Sequence, residues 1–219
     1  MRAAGGWVAV ALVLALLLPA LPAAARIPPP RVAFFGSSTT RGIGATDFAL
    51  RWTSTLCRLL GWEELNLGLS YSGLLPNIRF PGARARLPEV LALRPDRVLV
   101  MYGANDVVAR APVAAFAAEA RVLAQELADA LGPGSVAMLS PQPNAAGLVV
   151  REPYDQALEL AAREVGVAWV DAGKAFPATE LPALSNDALH LNDRGHARLA
   201  GFMAQAMAGI GWTPVVERR

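Results

Sequence analysis

Val32-Ala33-Phe34-Phe35-Gly36-Ser37-Ser38-Thr39-Thr40 is an apolar run that stops abruptly at a glycine and a cluster of hydroxyls. A short apolar run bounded by a turn residue reads as a buried strand, and the residues just past its end are where a folded chain presents polar chemistry. Four more short apolar runs read the same way: Leu65–Leu67, Val98–Tyr102, Val136–Leu139 and Val167–Val170. Between them lies room for helices. The clearest runs from Pro112 to Leu131, where Val113, Phe116, Ala120, Leu123, Leu127 and Leu131 recur at steps of three and four. Proline in its first turn and Gly132 just past its end are the punctuation such a helix calls for. A second helix begins near Pro153 and stops at Gly166. A last one follows Asn192, whose side chain can cap it while Asp193 meets the positive end of its dipole.

Strands alternating with helices predict an α/β fold of parallel βαβ units with right-handed crossovers. In that arrangement Gly36-Ser37-Ser38 follows the first strand, Gly68 the second, Gly103-Ala104-Asn105 the third and Pro141-Gln142-Pro143-Asn144 the fourth. All four groups fall at carboxyl ends, which share one edge of an open parallel sheet, so residues far apart in sequence can converge there. No internal repeat or second domain is visible.

The chain has 219 residues, 54% of them hydrophobic, which suits one domain with a full core. Its formal charge is +2, and Asp and Glu almost balance the arginines, so a pI near 9.1 makes no case for nucleic-acid binding. Arg79, Arg84 and Arg86 could hold an anionic head group, although a solvated loop face is the plainer reading. Cys57 is the only cysteine, which excludes an intrachain disulfide, and its helical apolar surroundings of Leu56, Leu59 and Leu60 read as a buried, inert thiol.

One of the two histidines, His190, follows Asp187 by three residues in Asp187-Ala188-Leu189-His190. A carboxylate in that place can fix the tautomer and orientation of the ring, as a general base requires. Ser38 is the matching nucleophile candidate, against the plainer role of capping the helix after the first strand. Asn105 could be only a turn residue. Asp106 reads as structural, holding its loop by local hydrogen bonds, and His196 as packed or supporting. The series Asp187, His190, Asp193, His196 sets metal-ligand types three apart, but a loop and a helix start do not present them on one face, so no metal is called for. Gly42-Ile43-Gly44 followed by Asp47 lacks the third glycine of the dinucleotide fingerprint, and no nucleotide cofactor is implied.

Taken together these blocks resemble the SGNH, or GDSL-type, hydrolase family. The first, usually Gly-Asp-Ser, appears as Gly36-Ser37-Ser38, with Ser37 in place of the aspartate. The third, Gly-x-Asn-Asp, is met by Gly103, Asn105 and Asp106, and the last, Asp-x-x-His, by Asp187 and His190. The second is only partly kept in Asn66-Leu67-Gly68-Leu69-Ser70-Tyr71-Ser72-Gly73, where Tyr71 stands at the glycine five residues after the asparagine. The resemblance implies a three-layer, flavodoxin-like sandwich over a five-stranded, mostly parallel sheet. It also implies a Ser38–His190–Asp187 triad and an oxyanion hole drawn from the backbone of Ser38, the Gly68–Tyr71 turn and the Asn105 amide. An oxyanion donor that is a backbone N–H survives any substitution but proline, so Tyr71 threatens geometry more than chemistry. With no Gly-x-Ser-x-Gly elbow, the α/β-hydrolase fold is disfavoured.

The reading is therefore a serine esterase acting on a small-molecule or glycan ester or thioester of short to medium acyl chain. Leu148-Val149-Val150 could supply an acyl wall. Sugar deacetylation or acyl transfer would use the same nucleophile, and a silent binding module on the same fold is the rival of another class. Residues 1–25 read as a signal peptide: Arg2, an apolar core from Trp7 to Leu18, then Ala23-Ala24-Ala25 as a cleavage site. The mature chain would then start near Arg26 and act outside the cytoplasm, secreted or periplasmic. An uncleaved membrane anchor is the alternative. Residues 26–31 form a proline-rich linker, 32–212 the hydrolase domain and 213–219 a tail.

Overall fold

The five strands form one sheet in the order β2-β1-β3-β4-β5, and every pairing is parallel. A computed structural model describes residues 28–143 and 151–213 of the chain. The leader, the Leu148-Val149-Val150 wall, Asn144 and residues 214–219 lie outside the described residues. The strands are β1 Arg31–Gly36, β2 Glu63–Gly68, β3 Arg97–Met101, β4 Val136–Leu139 and β5 Ala168–Val170. β1 thus begins at Arg31, the last residue of the stretch expected to form a linker. Helices α1 Ser38–Arg41, α2 Trp52–Leu60, α3 Leu87–Ala92, α4 Ala104–Val108, α5 Val113–Leu131, α6 Glu152–Val165 and α7 Asp193–Gly209 fill the connections.

Alternation along the central strands divides the core in two. Ala33 and Phe35 of β1, Val98 and Val100 of β3, and Val136 and Met138 of β4 face α3, α5 and α6. Val32 and Phe34, Leu99 and Met101, and Ala137 and Leu139 face α2 and α7. Both faces are covered, which explains why these strands read as unbroken apolar runs. Phe34 meets Trp52 edge to face at 5.3 Å on one side, and Phe35 meets Tyr102 at 5.1 Å on the other. Each ring is fully buried, which contributes roughly 2–3 kcal/mol, and each pair adds about 1 kcal/mol beyond burial.

The edge strand β2 is half-buried and needs other partners. Its Leu67 carbonyl accepts from Arg86, whose guanidinium also reaches the Tyr102 hydroxyl at 3.1 Å and Glu89 at 2.9 Å. Arg86 is therefore a buried residue that satisfies the sheet edge, not part of a solvated basic face. Helix ends follow the sequence closely. Gly132 and Gly166 take positive φ at the ends of α5 and α6, and Asn192 Oδ1 accepts the Gly195 N–H at the start of α7. Pro112 sits one residue outside α5, at the cap position.

This strand order reverses direction between β1 and β3, and in open parallel sheets ligands bind in the crevice beyond the carboxyl ends at such a reversal. Ser38 lies just past β1 and Asn105 just past β3.

Candidate active site

The end of β1 is crowded from both sides. A Cβ at Gly36 would strike the Thr40 side chain and the Met101 carbonyl, so only glycine lets the chain turn directly into α1. That single turn begins at Ser38, which is half-buried. Its carbonyl accepts from Gly42 N and Ile43 N, each at 3.0 Å. The Ser38 N–H, in the first turn of a helix, has no partner among the described residues, as helix starts leave their donors. Ser37 is buried at the cap position and makes no capping bond.

Gly36 pairs in register with Gly68 on β2 and with Met101 on β3, so the three strands end level. Past Gly68 the chain folds back: Leu69 N donates to the Gly36 carbonyl, and Ser72 N and Oγ both donate to the Leu69 carbonyl. The Gly68 N–H is already taken by Asn66 Oδ1 at 3.0 Å, which leaves Ser70 and Tyr71 as the turn residues whose N–H groups have no partner among the described residues. Tyr71 has φ 67, the left-handed conformation that glycine adopts freely.

The β3 loop is bolted to this turn. Asn105 Nδ2 donates to the Ser72 carbonyl at 2.7 Å, using one of its two hydrogens. The Asp106 carboxylate accepts from Leu74 N and Leu75 N, both at 2.9 Å. Burial pushes the Asp106 carboxyl up, and these backbone donors pull against that shift. Asp106 is structural, but the bonds it makes are not local: they span about thirty residues and join the second block to the third. Gly73 makes room for them, since a Cβ there would lie 2.8 Å from Asp106 Oδ1.

Asp187 and His190 form a closed unit. Asp187 Oδ2 lies 2.7 Å from His190 Nδ1, and Oδ1 accepts the backbone N–H groups of His190 at 2.6 Å and Leu189 at 3.0 Å. Slight burial opposes ionisation, but the His190 ring and these backbone donors outweigh it and hold the Asp187 carboxyl at about 2. An ionised carboxylate only accepts, so Nδ1 carries a hydrogen, and in the neutral ring Nε2 keeps its lone pair. Ala188, between the pair, has φ 62. Ser185 Oγ and Asn186 N both donate to the His190 carbonyl, closing the loop behind the ring.

Residues 42–46 connect this loop to the serine. Asn186 Nδ2 donates to the Gly44 carbonyl at 2.9 Å, and a Cβ on Gly44 would run into the Leu191 carbonyl and lie 3.2 Å from His190 Cβ. Thr46 donates through N and Oγ1 to Asp193 at 2.8 and 2.6 Å. Ser38 Oγ and His190 Nε2 share no hydrogen bond, a contact that in hydrolases often tightens only with substrate in place.

The other candidates resolve elsewhere. His196 is fully buried; its Nδ1 accepts the Trp52 N–H and its Nε2 donates to the Ile43 carbonyl, each at 3.2 Å. Asp187 and His190 engage each other, Asp193 engages Thr46, and His196 engages the backbone of Trp52 and Ile43; no cluster of three metal-ligating groups occurs among the described residues. Cys57 is buried, and burial above all pushes its thiol up to about 12. The roles of Ser72, Gly73 and Gly44 have no local signal beyond the glycines themselves, because they depend on neighbours distant in the chain.

The family whose sequence profile matches, over residues 34–198, is the GDSL-like Lipase/Acylhydrolase family. No curated protein sequence matches the chain significantly. Among solved structures the chain is similar to an aryl esterase of M. smegmatis, with 21% identity, TM-score 0.67, and 83% of this chain and 99% of that one covered. It is also similar to Axe2, an acetylxylan esterase from Geobacillus stearothermophilus, with 22% identity, TM-score 0.68, and coverage of 88% and 99%. A third is Est24, a carbohydrate acetylesterase from Sinorhizobium meliloti, with 22% identity, TM-score 0.66, and coverage of 83% and 99%. At these identities the structures attest the fold, and the sequence profile attests the family: the chain belongs to the GDSL-like lipase/acylhydrolases and is an ester hydrolase of the SGNH type.

Proposed function

We propose that the protein is an exported serine esterase that cleaves short- to medium-chain acyl esters or thioesters through an acyl-enzyme. The observation that carries this reading is the Asp187–His190 pair, with Nδ1 fixed at 2.7 Å and Nε2 left open, tied through Gly44 to the segment that bears Ser38. Ser38 Oγ attacks the carbonyl carbon while His190 Nε2 takes its proton, and Asp187 stabilises the imidazolium. The tetrahedral oxyanion is held by the Ser38 N–H, the Tyr71 N–H and the second hydrogen of Asn105 Nδ2. Collapse expels the alcohol or thiol, which takes the proton from His190. Water, deprotonated by the same nitrogen, then releases the acid.

Export rests on the apolar leader and its alanine triplet; N-terminal sequencing of the protein from its host tests it, with a start near Arg26 expected and an intact Met1 in a membrane fraction against it. Deacetylation of a sugar is the second reading, favoured by the two carbohydrate-directed esterases of the same fold. Turnover of a chromogenic ester series of rising chain length, beside an acetylated sugar and with Ser38→Ala as the blank, tests both. A preference for the acetylated sugar selects deacetylation. Absence of any Ser38-dependent turnover overturns the esterase.

A further inference from the structure

Tyr71 is costly where it stands. Its φ of 67 lies in the left-handed region, which disfavours a residue with a Cβ by roughly 1–2 kcal/mol and costs glycine nothing. The ring does not recover that cost in the core, because it is 62% exposed. It is nonetheless held. The Arg79 guanidinium lies over its face, 4.7 Å from the centroid. Asn77 donates to the Tyr71 carbonyl at 2.8 Å and accepts from Arg79 N at 2.9 Å and Phe80 N at 3.0 Å, so one side chain fixes both ends of the contact.

Arg79 also differs from its neighbours. Arg84 is paired with Glu119 at 3.1 Å and Arg86 with Glu89 at 2.9 Å, whereas the Arg79 side chain has no carboxylate or hydrogen-bond partner among the described residues. An exposed guanidinium resting 4.7 Å over a ring keeps donors free, in a fork that fits a carboxylate. The ring it rests on belongs to the residue next to Ser72, whose carbonyl positions Asn105.

We propose that Tyr71 and Arg79 form a recognition ledge at the lip of the oxyanion turn, selecting esters that carry a carboxylate or similar anionic group a few bonds from the scissile carbonyl. This rests on the esterase reading and adds a substrate class to it. The anion sits on the edge of Arg79, the ring packs against the chain between anion and carbonyl, and the left-handed backbone keeps the Tyr71 N–H turned to its task. Strain retained at such a position is the mark of a functional constraint.

Two matched pairs of chromogenic esters test it. On the acyl side, para-nitrophenyl butyrate is compared with mono-para-nitrophenyl succinate. On the alcohol side, para-nitrophenyl acetate is compared with its ring-carboxylated counterpart. Arg79→Gln should lower the anionic-to-neutral ratio of kcat/KM by roughly fivefold in one pair, mainly through KM, and Arg79→Lys should restore part of it. Raising salt from about 0.05 to about 0.5 M should lower the same ratio in the unmodified protein and leave it unmoved in Arg79→Gln. Ratios unchanged in both pairs, by substitution and by salt, overturn the ledge. If the unmodified protein turns over none of the four esters beyond the Ser38→Ala blank, the esterase reading falls instead.

Discussion

His190 and His196 stand six residues apart in the chain and do opposite things with the same ring. His196 is fully buried and spends both nitrogens on backbone groups, accepting from Trp52 and donating to Ile43. His190 is partly exposed and spends only one, on Asp187. An imidazole can act on a substrate only while one nitrogen is uncommitted; with both satisfied it becomes a fastener between α2, α7 and the segment after α1. Asn105 combines the two conditions in one amide, with one hydrogen on the Ser72 carbonyl and the other to spare.

The contrast breaks most sharply at the open ring. His190→Ala or Ser38→Ala should remove turnover by on the order of a millionfold while thermal melting stays near the parent's; a folded His190→Ala that kept substantial ester hydrolysis would end its assignment as the base. Asn105→Ala should lower kcat by roughly 10²–10³ with KM little changed, because its free hydrogen acts mainly on the transition state. A rise in KM alone would give the amide a binding role. For the closed ring the order reverses. His196→Ala strands the Trp52 N–H and the Ile43 carbonyl and opens a cavity, so denaturant unfolding should show a loss of about 2–4 kcal/mol with a far smaller change in kcat than at His190.

The two rings also part with pH. Burial, more than any other cause, lowers the pKa of His196 below its ordinary value. The unfolded chain therefore takes up its proton first as pH falls, and the stability present above about 6.5 should decline from there toward the lower folded value. Asp187 is lowered as well, to about 2, so what it contributes is present above the ordinary carboxyl range and is lost as pH falls from there through about 2. Asp155, raised to about 6 chiefly by burial, titrates in the opposite sense. The clean measurement is therefore the difference between parent and His196→Gln across about pH 7 to 5, and a parallel pair of curves would contradict the burial argument. The smallest effect belongs to Ala188, whose φ of 62 glycine adopts freely. Ala188→Gly should shift stability by no more than about 1 kcal/mol, with relieved strain set against the greater freedom of the unfolded chain.

The sequence made the level strand ends legible because each apolar run stops at a glycine or a polar cluster, and Gly36, Gly68 and Gly103 mark three of them. It also marked the Asp187–His190 contact, which is local. It marked the helical setting of Cys57 but not the start of α2 at Trp52, where Trp52, Leu56 and Leu60 face the core and threonines and a serine blur the period. The flanks of β2 were missed because Glu63 and Glu64 are polar residues of an edge strand. Arg86 reads as a surface charge until the sheet edge it satisfies is in place. The bonds of Asp106 cross two elements, and no local pattern encodes them. Tyr71 marks a departure from glycine in the sequence, but neither its left-handed backbone nor the Asn77 bond to its carbonyl has a local signal.

Cys57 has a use that stems from its burial. With its thiol pushed up to about 12 and its side chain enclosed beneath α2, almost no thiolate is available to a reagent at neutral pH. Modification must then wait for the helix to lift, so the rate at which an added disulfide reagent consumes this one sulfur, compared with the rate in denaturant, measures the free energy of local opening. Trp52 of that helix is bonded to both His196 and the Thr39 carbonyl. The native chain thus carries its own gauge of how firmly the scaffold behind the Ser38 turn is held shut.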